Sequence, residues 1–326
     1  MKRGLAVGIS QYPFGELKGC VEDADAFANI MRFHGSDKEG EKGDENFRMD
    51  VKPDITRGEL RRLIRNLFQS DADMAVFYFS GHGQLTETGG YILTSDSEED
   101  DPGVPMDYIM TLANRSNARD RVIILDCCNS GAFAESNQYD ASPSKIQRGV
   151  TILTASSENQ SAFQINGKGA FTTFLIDALN GNAADLAGQV TPGSIYTYVD
   201  KMLGLADEQR PIFKTNVSRF TVLRKVVPQV PISVLRKLTK YFPEADDKYE
   251  LNPSYEFKNT KKEDGIPPYA KPGNVVIFKE LQKLQSIGLV VPHEAEFMYF
   301  AAMNSKSCKL TDLGKQYWTL LKRAET

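Results

Sequence analysis

The sequence has no apolar run approaching the 18 or more residues that a membrane span needs. Its opening residues, Met1 to Gly8, run straight into a strand-like segment and lack the pattern of a secretory signal. A soluble, cytoplasmic protein is the expectation. Cysteine is scarce and badly placed for its structural uses. Of Cys20, Cys127, Cys128 and Cys308, the adjacent pair cannot readily bond to each other or form a CxxC metal knuckle. That argues against a disulfide framework and predicts thiols. Internal repeats are absent, which sets aside repeat arrays. Charge is nearly balanced at −4 overall, with 24 Lys and Arg against 31 Asp and Glu in residues 1–225 and 15 against 12 in residues 226–326. The basic excess of the second part is too small to argue nucleic-acid binding by itself.

What is present suffices for ordinary cores: 41% apolar residues over a length that favours one large domain and a smaller one. Leu5–Ser10, Met74–Phe79, Arg121–Cys127 and Val150–Ala155 read as strands; the middle two are continuous apolar runs, as central parallel strands covered on both faces should be. Phe47–Val51 and Phe220–Val226 are predicted as further strands, and residues 90–96 as a hairpin strand. Helices are predicted over Val21–Phe33, from the Thr56–Glu59 capping box to Gln69, over Met106–Ser116, Phe171–Leu179 and Pro192–Leu203. This alternation implies an α/β domain, a mostly parallel sheet flanked by helices, over residues 1–225. Pro228 and Pro231 mark a linker. Beyond it, helices over Ile232–Tyr241 and Val275–Ile287, a strand-like "EFMYFAAM" (296–303) and a helix capped by Thr311 make a small α+β domain, 226–326. Through Gly288-Leu289-Val290 and Leu310–Gly314 it resembles a winged-helix module.

The chemistry points to one of only three histidines. His82 stands between glycines at the end of an apolar strand, in "VFYFSGHGQ", where an imidazole can exchange a proton near neutral pH and the backbone can approach closely. A second strand, "VIILDCCNSGAF", ends in the cysteine pair. Reacting groups gather at the carboxyl ends of strands in open α/β sheets. Taken alone, His82 reads as a structural histidine and Cys128 as a buried thiol. Together at neighbouring strand ends they form a thiol with a base in reach.

Ser80-Gly81-His82-Gly83 and Asp126-Cys127-Cys128-Asn129-Ser130-Gly131, with histidine and cysteine 46 positions apart, resemble the caspase family, in particular its bacterial and metacaspase branch (peptidase family C14). Gly19–Ala24 and Thr154–Gln160 extend the resemblance over about residues 1–225. It implies a caspase-like fold and cysteine endopeptidase activity, with Cys128 as nucleophile, His82 as base and then acid, and the Cys128 and Gly83 amides as oxyanion hole. Asp23 and Ser80 match branch residues that bind the side chain before the cut. With Asp126 they would form an acidic pocket that takes Arg or Lys and repels Asp. Cys127 would point back into the sheet.

The substrate is thus expected to be a protein or peptide with Arg or Lys at the cleavage position. Lys145 and Arg148, in the segment joining two central strands, are candidate autocleavage positions. No cofactor is expected to be required. The acidic "SDSEEDD" (95–101) could ligate Ca2+, as some metacaspases require, or be a solvated loop. Cys20, His34, His293 and Cys308 are read as structural or solvent-facing, and Phe297, Tyr299 and Phe300 as alternating between core and surface. The second domain would bind a regulatory protein partner. By analogy, bacterial proteins of this type act in stress, cell death or antiviral (phage) defence. The rival readings are an inactive caspase-like scaffold and a winged-helix DNA-binding regulator with a peptidase switch.

Overall fold

A computed structural model describes residues 1–38, 41–127, 146–155, 164–165, 168–204, 210–261 and 265–325. They divide into two compact units, Met1–Val227 and Pro228–Thr326.

The first unit is built on a six-stranded sheet. Its strands are β1 (Lys2–Gly8), β2 (Arg48–Pro53), β3 (Met74–Ser80), β7 (Asp120–Asp126), β8 (Val150–Thr154) and β9 (Ile212–Asn216). Between β3 and β7 the chain forms a separate antiparallel sheet of β4 (Gly83–Thr86), β5 (Gly89–Glu98) and β6 (Asp101–Pro105). The main sheet runs in the order β9-β8-β7-β3-β1-β2, all parallel except β9. Every residue of β3, β7 and β8 is buried, because helices cover both faces and side chains alternate between them. On one face, Val7, Phe77, Phe79, Ile123 and Leu125 pack with the apolar stripes of α2 (Arg57–Phe68) and α3 (Met106–Asn114). On the other, Ala6, Val76, Tyr78, Val122 and Ile124 meet α1 (Cys20–Met31), α4 (Ala170–Asp177) and α5 (Pro192–Gly204). The expected Thr56 cap forms: its hydroxyl accepts the Glu59 amide at 3.4 Å.

The edge strand differs from expectation. The segment 220–226 contributes only Arg224–Lys225, paired with Gln189–Val190, while β9 closes the main sheet. An edge strand buries little, so the half-polar "IFKTN" carries none of the apolar continuity that marks β3 and β7.

In the second unit, α6 (Ile232–Leu235) and α7 (Leu238–Tyr241) stand where one helix is expected. β10 (Lys248–Glu250), α8 (Pro272–Ser286), β11 (Val290–His293), α9 (Met298–Met303), β12 (Ser307–Leu310) and α10 (Asp312–Glu325) follow. The three strands form an antiparallel sheet in the order β10-β12-β11. "EFMYFAAM" is helical, not extended: Met298, Ala301 and Ala302 are buried at helical spacing. Phe297, Tyr299 and Phe300 are all exposed. The Thr311 hydroxyl accepts the Gly314 amide at 2.9 Å, capping α10 as expected.

Candidate active site

The carboxyl ends of three adjacent strands form one row, in which Gly8 pairs with Ser80 and Ser80 with Asp126. β1 connects outward to β2, and the chain then crosses back to β3 on the other side of β1, so this row lies at a topological switch point, where such sheets bind ligands. The start of α1 is drawn tightly onto the row: a Cβ on Gly8 would collide with the backbone of Cys20 and Val21. Only glycine allows that approach. It brings Cys20 and Asp23 over the ends of β1 and β3.

Asp23, Ser80 and Asp126 are all buried, at 4%, 3% and 7% exposure. Gly169, just before α4, lies between the carboxylates: a Cβ there would stand 2.7 Å from Asp126 Oδ2 and 3.4 Å from Asp23 Oδ2. The two oxygens are therefore no further apart than the sum of those distances. The three residues expected to hold the side chain before the cut are thus brought together.

Three further residues complete the cluster, none of them given a role in the site by the sequence. The Thr172 hydroxyl donates to Asp126 Oδ2 at 2.6 Å and accepts from the Tyr78 hydroxyl at 2.5 Å. Cys20, expected to carry no chemistry, shares a side-chain hydrogen bond with Ser80. Desolvation pushes the Asp126 carboxyl up to about 6, against the opposing pull of the hydrogen bonds from Thr172. Desolvation likewise pushes the Cys20 thiol up to about 12, against the Ser80 hydrogen bond and helped by the charges of Asp126 and Asp23. Cys20 is therefore a neutral wall of the cluster near pH 7, unsuited to nucleophilic attack.

His82 lies two residues beyond the row, half-buried. Its amide donates to the Tyr12 hydroxyl at 2.8 Å, and its carbonyl accepts the Leu93 amide at 3.0 Å. The Tyr12 and Phe14 rings stand 4.8 and 5.5 Å from the imidazole. Burial holds the imidazole below the usual histidine value, so it is neutral near pH 7 and able to accept a proton. Gly83 opens β4, opposite Ile92. Cys127 is buried at 1% exposure in the core on the α2 and α3 face.

Cys128 and Lys145 lie outside the described residues. Arg148 is exposed but sits at the amino end of β8, the opposite edge of the sheet from His82. Among the described residues no group of three or more His, Cys, Asp or Glu side chains is arranged to hold a metal ion. Within the acidic run 95–101, Asp96 accepts the Arg57 amide at 2.8 Å and the Thr94 hydroxyl at 2.7 Å, and Asp101 pairs with Arg57. No helix among the described residues is long and apolar enough to cross a membrane.

The caspase-domain family profile matches residues 1–243, and the chain belongs to that family. Curated proteins gave no match. Among solved structures, protein GSU0716 from Geobacter sulfurreducens is similar over 70% of this chain and 100% of its own, at 16% identity and a TM-score of 0.52. Caspase-1 from Spodoptera frugiperda is similar over 69% of this chain and 90% of its own, at 14% identity and a TM-score of 0.48. The chain therefore has a cysteine-peptidase fold of the caspase type.

Proposed function

We propose that the chain is a cysteine endopeptidase that cuts after Arg or Lys. In this reading Cys128 gives its thiol proton to His82 and attacks the scissile carbonyl carbon. The amides of Cys128 and Gly83 stabilise the oxyanion. The carbon–nitrogen bond then breaks as His82 passes the proton to the leaving amine, and water hydrolyses the thioester. The observation that carries the specificity is the meeting of Asp23 and Asp126 at Gly169, with Ser80 paired beside Asp126 in the sheet. Two buried carboxylates with a neutral thiol and hydroxyls suit a guanidinium or ammonium and oppose an acidic side chain.

No cofactor is invoked for this reaction. The strand order β10-β12-β11 between helices supports reading residues 226–326 as a winged-helix-like interaction or regulatory module on a regulated effector protease. A salt-dependent gel shift by the full chain would turn that reading toward DNA.

The experiment is cleavage of a peptide library by the wild type, Cys127→Ala and Cys128→Ala, with calcium and with a chelator. Cuts after Arg and Lys that survive Cys127→Ala and vanish in Cys128→Ala are expected, since only one of two successive strand residues can face the histidine. A dead Cys127→Ala with an active Cys128→Ala moves the nucleophile by one residue. Cleavage by none of the three leaves an inactive scaffold.

A further inference from the structure

Next to His82, on the side away from the carboxylates, lies a groove of about 460 Å³. Leu93, 6% exposed, and Pro102 form part of its lining, and Pro13 and Phe14 flank it. It is coupled to His82 through both walls: the Leu93 amide donates to the His82 carbonyl at 3.0 Å, and the Phe14 ring stands 5.5 Å from the imidazole. Phe14 is 61% exposed yet not loose, because it stacks on Tyr12 at 5.2 Å with the rings 21° apart. Tyr12 in turn takes the His82 amide. Phe14 thus presents a fixed apolar ring to solvent beside the imidazole.

The two sides of His82 belong to opposite faces of the sheet. Tyr78 packs in the core on the α1 and α4 face, and Thr172, which bonds Asp126, is on α4. Tyr12 and Leu93 belong to the core on the α2 and α3 face. If the side chain before the cut sits over the carboxylates and the leaving amine takes its proton from His82, the chain after the cut passes into the groove. The rim carries Glu98 and Glu99, both exposed, and no cation among the described residues pairs with either. Asp101, one turn further, is neutralised by Arg57.

We infer that this groove binds the leaving side of the substrate, taking an apolar residue immediately after the scissile bond and a basic residue next to it. The inference rests on the peptidase reading above and adds a second determinant of specificity to it.

The test uses the full chain and internally quenched peptides that share Arg before the cut and carry Leu-Lys, Leu-Glu or Gly-Gly after it. A peptidyl-Arg dye amide, which has no residue after the cut, serves as reference. The wild type should favour Leu-Lys over Gly-Gly in kcat/KM by at least about tenfold, the range one apolar contact supplies, and over Leu-Glu by about threefold, as a rim charge supplies. Phe14→Ser should bring the first ratio below about threefold. The double variant Glu98→Gln, Glu99→Gln, at exposed positions that tolerate change, should abolish the second ratio while keeping the first. Equal cleavage of the three peptides by a wild type that turns over the dye amide overturns the inference and leaves the peptidase reading standing. Failure to cut either the dye amide or any peptide overturns both.

Discussion

Thr172 gives its hydroxyl proton to Asp126 at 2.6 Å and receives that of Tyr78 at 2.5 Å, so a directed chain of two hydrogen bonds ends on a buried carboxylate. Burial still wins, and Asp126 titrates at about 6 against an ordinary 3.8. A carboxyl whose folded value lies above its unfolded value costs stability when ionised. The cost is absent below the ordinary value, grows between about pH 4 and 6, and is complete above that, at about 3 kcal/mol. Asp126→Asn should therefore be more stable than the wild type by about 1–3 kcal/mol at pH 7.5, with about a third of that gain left at pH 4.5 and none at about pH 3, in urea unfolding. In the proposed reading the same variant loses at least about tenfold in turnover of Arg substrates, because the guanidinium loses a charge-assisted partner. A stability difference independent of pH would show that the carboxylate is not held under this strain.

Tyr12 acts on His82 through the backbone. Its hydroxyl accepts the His82 amide, and burial holds that hydroxyl protonated well above any working pH. Tyr12→Phe keeps the ring against the imidazole but strands the amide, at about 1–3 kcal/mol. In the peptidase reading kcat should fall about tenfold with KM for an Arg substrate little changed, and the thermal midpoint should drop by a few degrees. An unaltered kcat would make Tyr12 a packing residue only.

How far the sequence carried can be read from individual elements. β3 and β7 were legible because burial on both faces leaves an uninterrupted apolar run, whereas β9 at the edge has no such mark. The aromatic stretch 296–303 looks like a strand by composition, yet its buried residues follow a helical period that the exposed rings obscure. At the site, Ser80, Asp126 and Asp23 stood in recognisable motifs. Thr172 and Gly169 did not. They reach the cluster from the start of α4, more than 40 residues beyond Asp126, and a threonine in a helix carries no pattern of its own. Cys20 could have been found from Gly8, whose small size signals a close passage, but nothing in the sequence says that Ser80 waits there.

Arg121, second residue of β7, is a buried charge immediately before the apolar run Val122–Leu125. Its guanidinium donates to the carbonyls of Ala113, Ala118, Arg119 and Arg148 at 2.7–3.1 Å, so it ties the end of α3, the turn before β7 and the approach to β8 into one knot. Only the planar fork of arginine reaches acceptors in so many directions. Arg121→Met fills the space but strands those carbonyls and should cost about 3 kcal/mol or more. Arg121→Lys keeps the charge and recovers only part of that. Urea midpoints in the order wild type, Lys, Met are expected; equal midpoints for Lys and wild type would mean that charge and not geometry holds the knot.

The same knot bears on where the chain would cut itself. Lys145 and Arg148 both offer the side chain that the proposed pocket takes. The bond after Arg148, however, is pinned on each side: the Arg148 carbonyl accepts from Arg121 at 2.9 Å, the Gly149 amide donates to Asn216 at 2.7 Å, and the Gly149 carbonyl accepts the Arg121 amide at 2.8 Å. Gly149 is buried and held at a φ of 90°, where a Cβ would collide with the backbone of Arg119. A peptidase needs several extended residues free of other partners, so cutting there requires unpicking the amino end of a central strand, a sub-global opening of the fold. An autolytic nick should therefore fall after Lys145 and leave activity intact. Mass spectrometry of incubated wild type is expected to give a fragment ending at Lys145 that disappears in Lys145→Ala and persists in Arg148→Ala. A fragment ending at Arg148 would show that the amino end of β8 opens far more readily than its bonds imply.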